Sequence, residues 1–306
     1  MNVTSAQRRT EKMSLFDGVK MVFVAFLWAL CFPLIKVGLA GGTSPLLFGA
    51  LRTAIASFAL FGVAIHRKEA VSEASKHKAL LLAIGLMAFF GYFGMVLGGS
   101  SVNPGLASVV SNTNPLIASV LAPIFLSESL NLRKIAGLLM GFLGVIFISV
   151  PASTGDISNS LTGIALLLVG AFGAAAGNVL LKKIANSNFP ISVLAIQFVC
   201  ASVLLFLATL LIENPLSLKW GWGFSVSLFT LSIGGTALAD IIWLNLLKKN
   251  SLSKLNVFIF LTPAFSLVMG VIFFREKVGV WELFGMGAII AGVFLIFERR
   301  QVEFPN

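Results

Sequence analysis

The sequence predicts an all-α membrane protein: ten transmembrane helices arranged as two inverted five-helix repeats. Three observations lead there. Of 306 residues, 58% are apolar and 11% charged, and the mean hydropathy is +0.98. Soluble domains carry about 25% charged residues, so 22 Lys and Arg with 12 Asp and Glu are too few to coat one this long. The apolar residues gather into ten runs of about 20, the length that crosses a bilayer core as helix. Finally, one phrase is written twice, NPLIASVLAPIFLSE at 114–128 and TPAFSLVMGVIFFRE at 262–276.

The runs cover 18–40, 44–65, 79–99, 104–126, 132–150, 161–184, 190–212, 223–247, 252–274 and 279–298. Short loops join them, the longest at 66–78 and 151–160. Strands of a membrane barrel would alternate apolar and polar residues in segments of about ten, and no such alternation is present. The first run is too long for a signal-peptide core and has no small-residue cleavage site, so it reads as a retained helix. A cytoplasmic N-terminus places seventeen Lys and Arg inside, from Arg8 to Arg300, and four outside: Lys36, Lys219, Arg275 and Lys277. By the positive-inside rule, the expectation is a multi-pass protein of the cytoplasmic (inner) membrane with both termini cytoplasmic. The net charge of +10 thus reports topology, and no nucleic-acid partner is expected. Cys31 and Cys200 lie inside apolar runs as small packing residues. With only His66 and His77 besides, no metal site or cofactor is expected.

The doubled phrase has a fixed offset. Adding 148 carries Pro115 to Pro263, Phe125 to Phe273, Glu128 to Glu276, Gly137 to Gly285 and Gly144 to Gly292. A slightly shifted match aligns Pro45, Ala56 and Ser57 with Pro190, Ala201 and Ser202. The chain therefore divides into an N-terminal tail (1–17), a first repeat (18–150), a linker (151–160), a second repeat (161–298) and a C-terminal tail (299–306). Five spans is an odd number, so the repeats face opposite ways. Many secondary transporters use this plan to hold a midplane site.

The stretches SNTNPLIASVLAPIFLSESLNLRKIAGLLMGFLGV and KLNVFIFLTPAFSLVMGVIFFREKVGVWELFG carry a resemblance to EamA-type members of the drug/metabolite transporter superfamily. The resemblance runs over nearly the full length. It implies ten helices around a central cavity and export of small metabolites such as amino acids.

Within hydrocarbon, polar and ionisable side chains face the bundle interior and mark function. In the fourth run, Ser108, Ser111, Asn112, Pro115 and Ser119 form one stripe at helical spacing. Pro115 cannot donate to the carbonyl of Ser111, so a kink and a free carbonyl are expected beside Asn112. That carbonyl can meet substrate, or the stripe can bond between helices. The repeat-related face of the ninth run, with Asn256, Phe260 and Pro263, is greasier, and such a lopsided cavity suits an amphipathic solute. Asp240 is the one acid deep within a run, a candidate for proton coupling, for holding a substrate ammonium, or for a structural partnership with Arg52. Thr236, Asp240 and Trp243 share a face. The family usually has an aromatic where Asp240 stands, so no family role carries over to it.

Arg52 is the one deep cation and resembles the basic residue often found in the family's second helix. It can pair with Asp240, contact a substrate carboxylate, or snorkel outward. Trp28, Tyr92 and Asn178 are further cavity candidates because the corresponding helices line the family's cavity. Tyr92 maps onto Asp240 at the offset of 148. Glu128 and Glu276 close their runs, where each can stabilise a helix N-terminus, bond loop amides, or gate. The glycine faces of the third, fifth and sixth runs are read as close helix contacts.

The expectation is an exporter of small amphipathic metabolites, amino acids or related compounds, working by alternating access with proton coupling open. A passive facilitator is the alternative, and a membrane-embedded lipid-handling protein or enzyme a weaker one, since no catalytic centre assembles. The expected partners are a small-molecule substrate and the lipid bilayer, with a homodimer left open.

Overall fold

The computed structural model describes residues 13–69, 77–102, 104–149, 161–185, 187, 190–213, 218–275 and 278–296, and among these every regular element is a helix. In chain order they are α1 (Leu15–Ala29), α2 (Cys31–Leu39), α3 (Pro45–His66), α4 (Lys78–Ser100), α5 (Pro104–Ser111), α6 (Asn114–Leu126) and α7 (Leu132–Ser149). There follow α8 (Leu161–Ile184), α9 (Pro190–Ile212), α10 (Trp222–Ser232), a π-helical turn (Ile233–Leu238), α11 (Ala239–Lys249), α12 (Leu252–Ile259), α13 (Leu261–Phe274) and α14 (Val280–Ile296). Nine helical stretches among the described residues are long and apolar enough to cross a membrane. Helix α14, with 17 residues, reaches about 26 Å at 1.5 Å per residue and is shorter than the run expected at 279–298. The linker at 151–160, residues 1–12, the C-terminal tail (299–306) and Glu276 lie outside the described residues.

Local chemistry sets the helix starts and breaks. Ser14 opens α1 by accepting the Asp17 N–H at 3.0 Å, so this helix begins at Leu15 rather than at 18. Ser44, followed by Pro45, opens α3 by accepting the Leu47 N–H at 3.2 Å. The first run breaks at Leu30, before Pro33, although a single helix was expected there. Pro33 offers no N–H to the Ala29 carbonyl, and Ser266 Oγ donates to that oxygen instead, at 3.5 Å. The fourth run breaks at Asn112 and Thr113, before Pro115, and the ninth at Phe260, before Pro263. Ser127 and Arg275 end α6 and α13 in left-handed conformation, with φ of 54° and 56°. They stand 148 residues apart, so the repeated phrase carries its helix stop as well as its proline.

Packing pairs α3 with α9, α4 with α8, α7 with α14, α6 with α12, and α1 with α11 and α13. Lipid supplies no hydrophobic drive between helices, so close contact depends on small residues. A Cβ built on Gly94 of α4 would stand 2.3 Å from the Leu166 carbonyl oxygen and 2.6 Å from the Gly170 nitrogen of α8. Between α7 and α14, one on Gly137 would meet the Gly292 oxygen at 3.0 Å, and one on Gly144 the Gly285 oxygen at 2.6 Å. Large apolar side chains point outward instead: Phe58 is 77% exposed and Leu211 86%.

Gly94→Ala is therefore expected to destabilise the protein by about 1–3 kcal/mol through overpacking. Gly62→Ala, with nothing within 4 Å of the new Cβ, should match or exceed the parent because alanine favours helix. Thermal unfolding in detergent micelles compares the two, and equal losses would remove close glycine packing as the cause.

Candidate functional site

Arg52 anchors a polar cluster inside the bundle. It lies in the first half of α3 and is only 7% exposed, so it does not snorkel. Its Nε donates to Thr236 Oγ1 at 2.9 Å, and Nη2 donates to Cys31 Sγ at 3.2 Å and to the Gly235 carbonyl at 3.4 Å. The Tyr92 ring stands over the guanidinium, 5.7 Å from Cζ. Asp240 is within electrostatic reach of both Arg52 and Tyr92, yet the hydrogen bonds of Arg52 go to Thr236, Cys31 and Gly235.

The π turn shapes this cluster. Its wider ring is a form often found at functional sites, and here it follows the pair Gly234 and Gly235. A Cβ on Gly235 would stand 3.4 Å from the Leu27 carbonyl oxygen and 3.6 Å from Cys31 Sγ, so the α1–α2 break lies in ordinary van der Waals contact with this turn. Thr236 Oγ1 also donates to the Leu231 carbonyl, five residues back, at 2.9 Å.

Beside the cluster stands an aromatic pair. The Trp28 and Trp243 rings lie 5.4 Å apart, and Trp243 Nε1 donates to Asn178 Oδ1 at 3.1 Å. Tyr92 meets Phe198 edge-on at 6.4 Å. Trp28, Arg52, Tyr92, Asn178, Asp240 and Trp243 thus gather from α1, α3, α4, α8 and α11. Together they offer a guanidinium, a carboxylate, a phenol and two indoles inside the bundle, with Arg52 and Trp243 buried and Trp28, Tyr92, Asn178 and Asp240 half-buried.

The other candidates sit around the helix breaks. Asn112 Nδ2 donates back to the Ser108 carbonyl at 2.9 Å, and Ser111 ends α5. Asn256, fully buried, donates to the Pro115 carbonyl at 3.3 Å and to Ser119 Oγ at 3.2 Å. It bridges α12 to α6. Phe260 is also fully buried, 6.5 Å from the Phe142 ring, and a Cβ on Gly141 would come within 2.3 Å of it. Pro263 is buried near the start of α13. Among the described residues, no hydrogen bond joins this group to the Arg52 cluster.

Glu128 reaches a helix far along the chain. Its carboxylate accepts from the Leu252 N–H at 2.8 Å, the Ser253 N–H at 3.2 Å and Ser253 Oγ at 3.2 Å, capping α12 rather than the next helix in sequence. Glu69 does the same for α9, accepting from Ile191 N–H at 3.2 Å, Ser192 N–H at 2.8 Å and Ser192 Oγ at 3.0 Å. Glu213 caps α3, accepting from Leu46 N–H at 3.0 Å and from Ser44 Oγ. At the Glu128 end, Asn250 Nδ2 donates to Asp17 at 3.3 Å, and Lys182 Nζ donates to the carbonyls of Leu247 and, at 2.7 Å, Asn250.

Sequence reasoning passed over Cys31 as an acceptor, the hydroxyl of Thr236, the carbonyl of Gly235, and the caps Glu69 and Glu213. The doubled glycine at 234–235 is the signal for the π turn. Glu69 and Glu213 each close a run aligned by the shifted repeat, which is the signal for their shared task.

The chain matches the EamA-like transporter family over residues 18–150 and 161–298. It belongs to that family. It is a multi-pass membrane protein, by this membership together with its apolar helices. It is 29% identical over 285 residues to the uncharacterized transporter YvbV of Bacillus subtilis, covering 92% of each chain. Over 296 residues it is 27% identical to a probable amino-acid metabolite efflux pump of Salmonella typhimurium, covering 92% of this chain and 95% of that one. A protein of known crystal structure superposes with a TM-score of 0.77 at 18% identity, covering 92% of this chain and 96% of that one, a likeness of fold alone.

Glu128→Ala should cost about 1–3 kcal/mol, because it leaves the donors at the start of α12 without their acceptor. Glu128→Gln, which keeps one acceptor oxygen, should cost less. Denaturant or thermal unfolding separates the two variants, and equal stability of Glu128→Ala and the parent would remove the cap from the account.

Proposed function

We propose that the chain is a secondary transporter exporting small amphipathic metabolites, amino acids and related compounds, by alternating access. The observation that carries this reading is the buried cluster itself. A cation and a carboxylate lie near one another without a direct bond, beside a pair of indoles. A zwitterion matches such a site, with its carboxylate toward Arg52 and its ammonium toward Asp240 and an indole face. A relative named a probable amino-acid metabolite efflux pump supports the same substrate class.

In this proposal the chain crosses the inner membrane ten times, as two inverted five-helix repeats with both termini cytoplasmic. Reciprocal glycine contacts support that arrangement. Gly137 faces Gly292 and Gly144 faces Gly285, and each pair exchanges with the other under the offset of 148. A two-fold axis between the repeats would produce this pattern. Rocking of one repeat against the other would expose the cluster to each side in turn, and Asp240 would carry the coupled proton.

Uptake of radiolabelled neutral amino acids into proteoliposomes, with and without an imposed pH gradient, tests the proposal. Saturable flux that the gradient accelerates is expected, and no flux for any amino acid or close analogue would end the transporter reading. Asp240→Asn should abolish the acceleration while leaving counterflow exchange; driven flux equal to the parent would remove Asp240 from coupling. Arg52→Gln should lower flux at least about tenfold, the loss of one charge-assisted contact.

A further inference from the structure

A second polar feature lies away from the Arg52 cluster, at the end of the bundle that carries Glu69 and Glu128. A cavity of about 370 Å³ opens there, between the start of α4, the end of α8 and the start of α9. His77, Lys183 and Ser187 line it together with Leu80, Leu81, Ile184 and Val193, and Lys183 Nζ stands over the Phe125 ring, 5.3 Å from its centroid. Ser187 Oγ is buried and has no hydrogen-bond partner among the described residues. The first intrahelical bond of α4 runs from the Leu81 N–H to the His77 carbonyl, so the N–H groups of Lys78, Ala79 and Leu80 have no acceptor within the helix. Among the described residues, no carboxylate lines the cavity. The nearby Glu69 is committed to the N–H groups of Ile191 and Ser192.

We propose that this cavity is a binding site for an anionic phospholipid headgroup. Two basic side chains, a hydroxyl and the start of a 23-residue helix meet at this cavity, the combination that receives a phosphodiester. Four aliphatic side chains also line it, apolar surface which a small hydrated anion would leave unused and the glycerol and first methylenes of a lipid would cover. The site sits where helix ends meet the membrane boundary. The next residue on α4, Leu82, is 62% exposed, apolar surface that an acyl chain would cover.

Native mass spectrometry of the full-length protein, purified in detergent and given equal phosphatidylglycerol and phosphatidylcholine, tests the assignment. Preferential retention of phosphatidylglycerol, with a rise in Tm, is expected for the parent protein. Equal retention of the two lipids overturns the proposal without any variant. Lys183→Gln should weaken retention about fivefold and Lys183→Gln/His77→Gln further, whereas Lys249→Gln, at the same end but outside the cavity, should leave it unchanged. A double variant that folds with parental Tm in phosphatidylcholine and still retains phosphatidylglycerol like the parent overturns it as well. Inorganic phosphate in excess should not displace the lipid; displacement would assign the site to free phosphate instead.

Discussion

Hydrocarbon offers no partner to a backbone N–H or C=O, and the irregularities of this bundle are arranged around that constraint. The chain breaks at Leu30, at Asn112 and Thr113, and at Phe260, and it widens into a π turn at 233–238. Partners from distant sequence meet polar groups beside several of these places. Ser266 reaches the Ala29 carbonyl, Asn256 the Pro115 carbonyl, and Arg52 the Gly235 carbonyl. The starts of α3, α9 and α12 receive carboxylates from Glu213, Glu69 and Glu128. Because each answer comes from the other half of the sequence, the bonds that repair the helices also hold the halves together.

The same constraint explains the form of the buried cluster. An isolated guanidinium in a low-dielectric interior is costly, and hydrogen bonds on several sides offset that cost. Arg52 finds a hydroxyl, a thiol and a carbonyl, all presented by the α1–α2 break and the π turn. Two departures from regular helix thus supply its coordination. Asp240 remains outside that set of bonds, so a carboxylate and a held cation stand near each other in one interior volume. Trp28 and Trp243 close the volume on another side, and Asn178 fixes the Trp243 ring through its indole N–H.

Close glycine contact gives the bundle its dimensions. At Gly94, Gly98 and Gly173, backbone meets backbone across the α4–α8 contact, and at Gly137, Gly144, Gly285 and Gly292 across α7 and α14. Side chains of any size would part these helices by the width of a methyl group or more. The contact surfaces of α4 and α8 lie beside Tyr92 and Asn178, so the packing that sets the helix separation also sets the position of two cluster residues.

Much of the architecture was legible in the sequence. The apolar runs, a proline just after each break at 112–113 and 260, and the glycine faces all follow from short-range pattern, because period, length and proline chemistry are properties of neighbouring residues. Tyr92 and Asp240, mates under the offset of 148, both stand near Arg52. What no local pattern carried was the choice of partner. Nothing beside Cys31 marks it as an acceptor for Arg52, and nothing beside Glu128 points to Leu252, 124 residues away. Nor does spacing separate Asn256 and Phe260, sealed between helices, from Trp28 and Trp243, which face each other. The sequence by itself determined that this chain is a helical membrane protein with a repeated, proline-broken plan, since burial in lipid acts on each run alone. Only the tertiary structure decided which buried polar groups meet, since hydrogen bonds between helices depend on rotation and depth, which the hydrophobic pattern leaves unspecified.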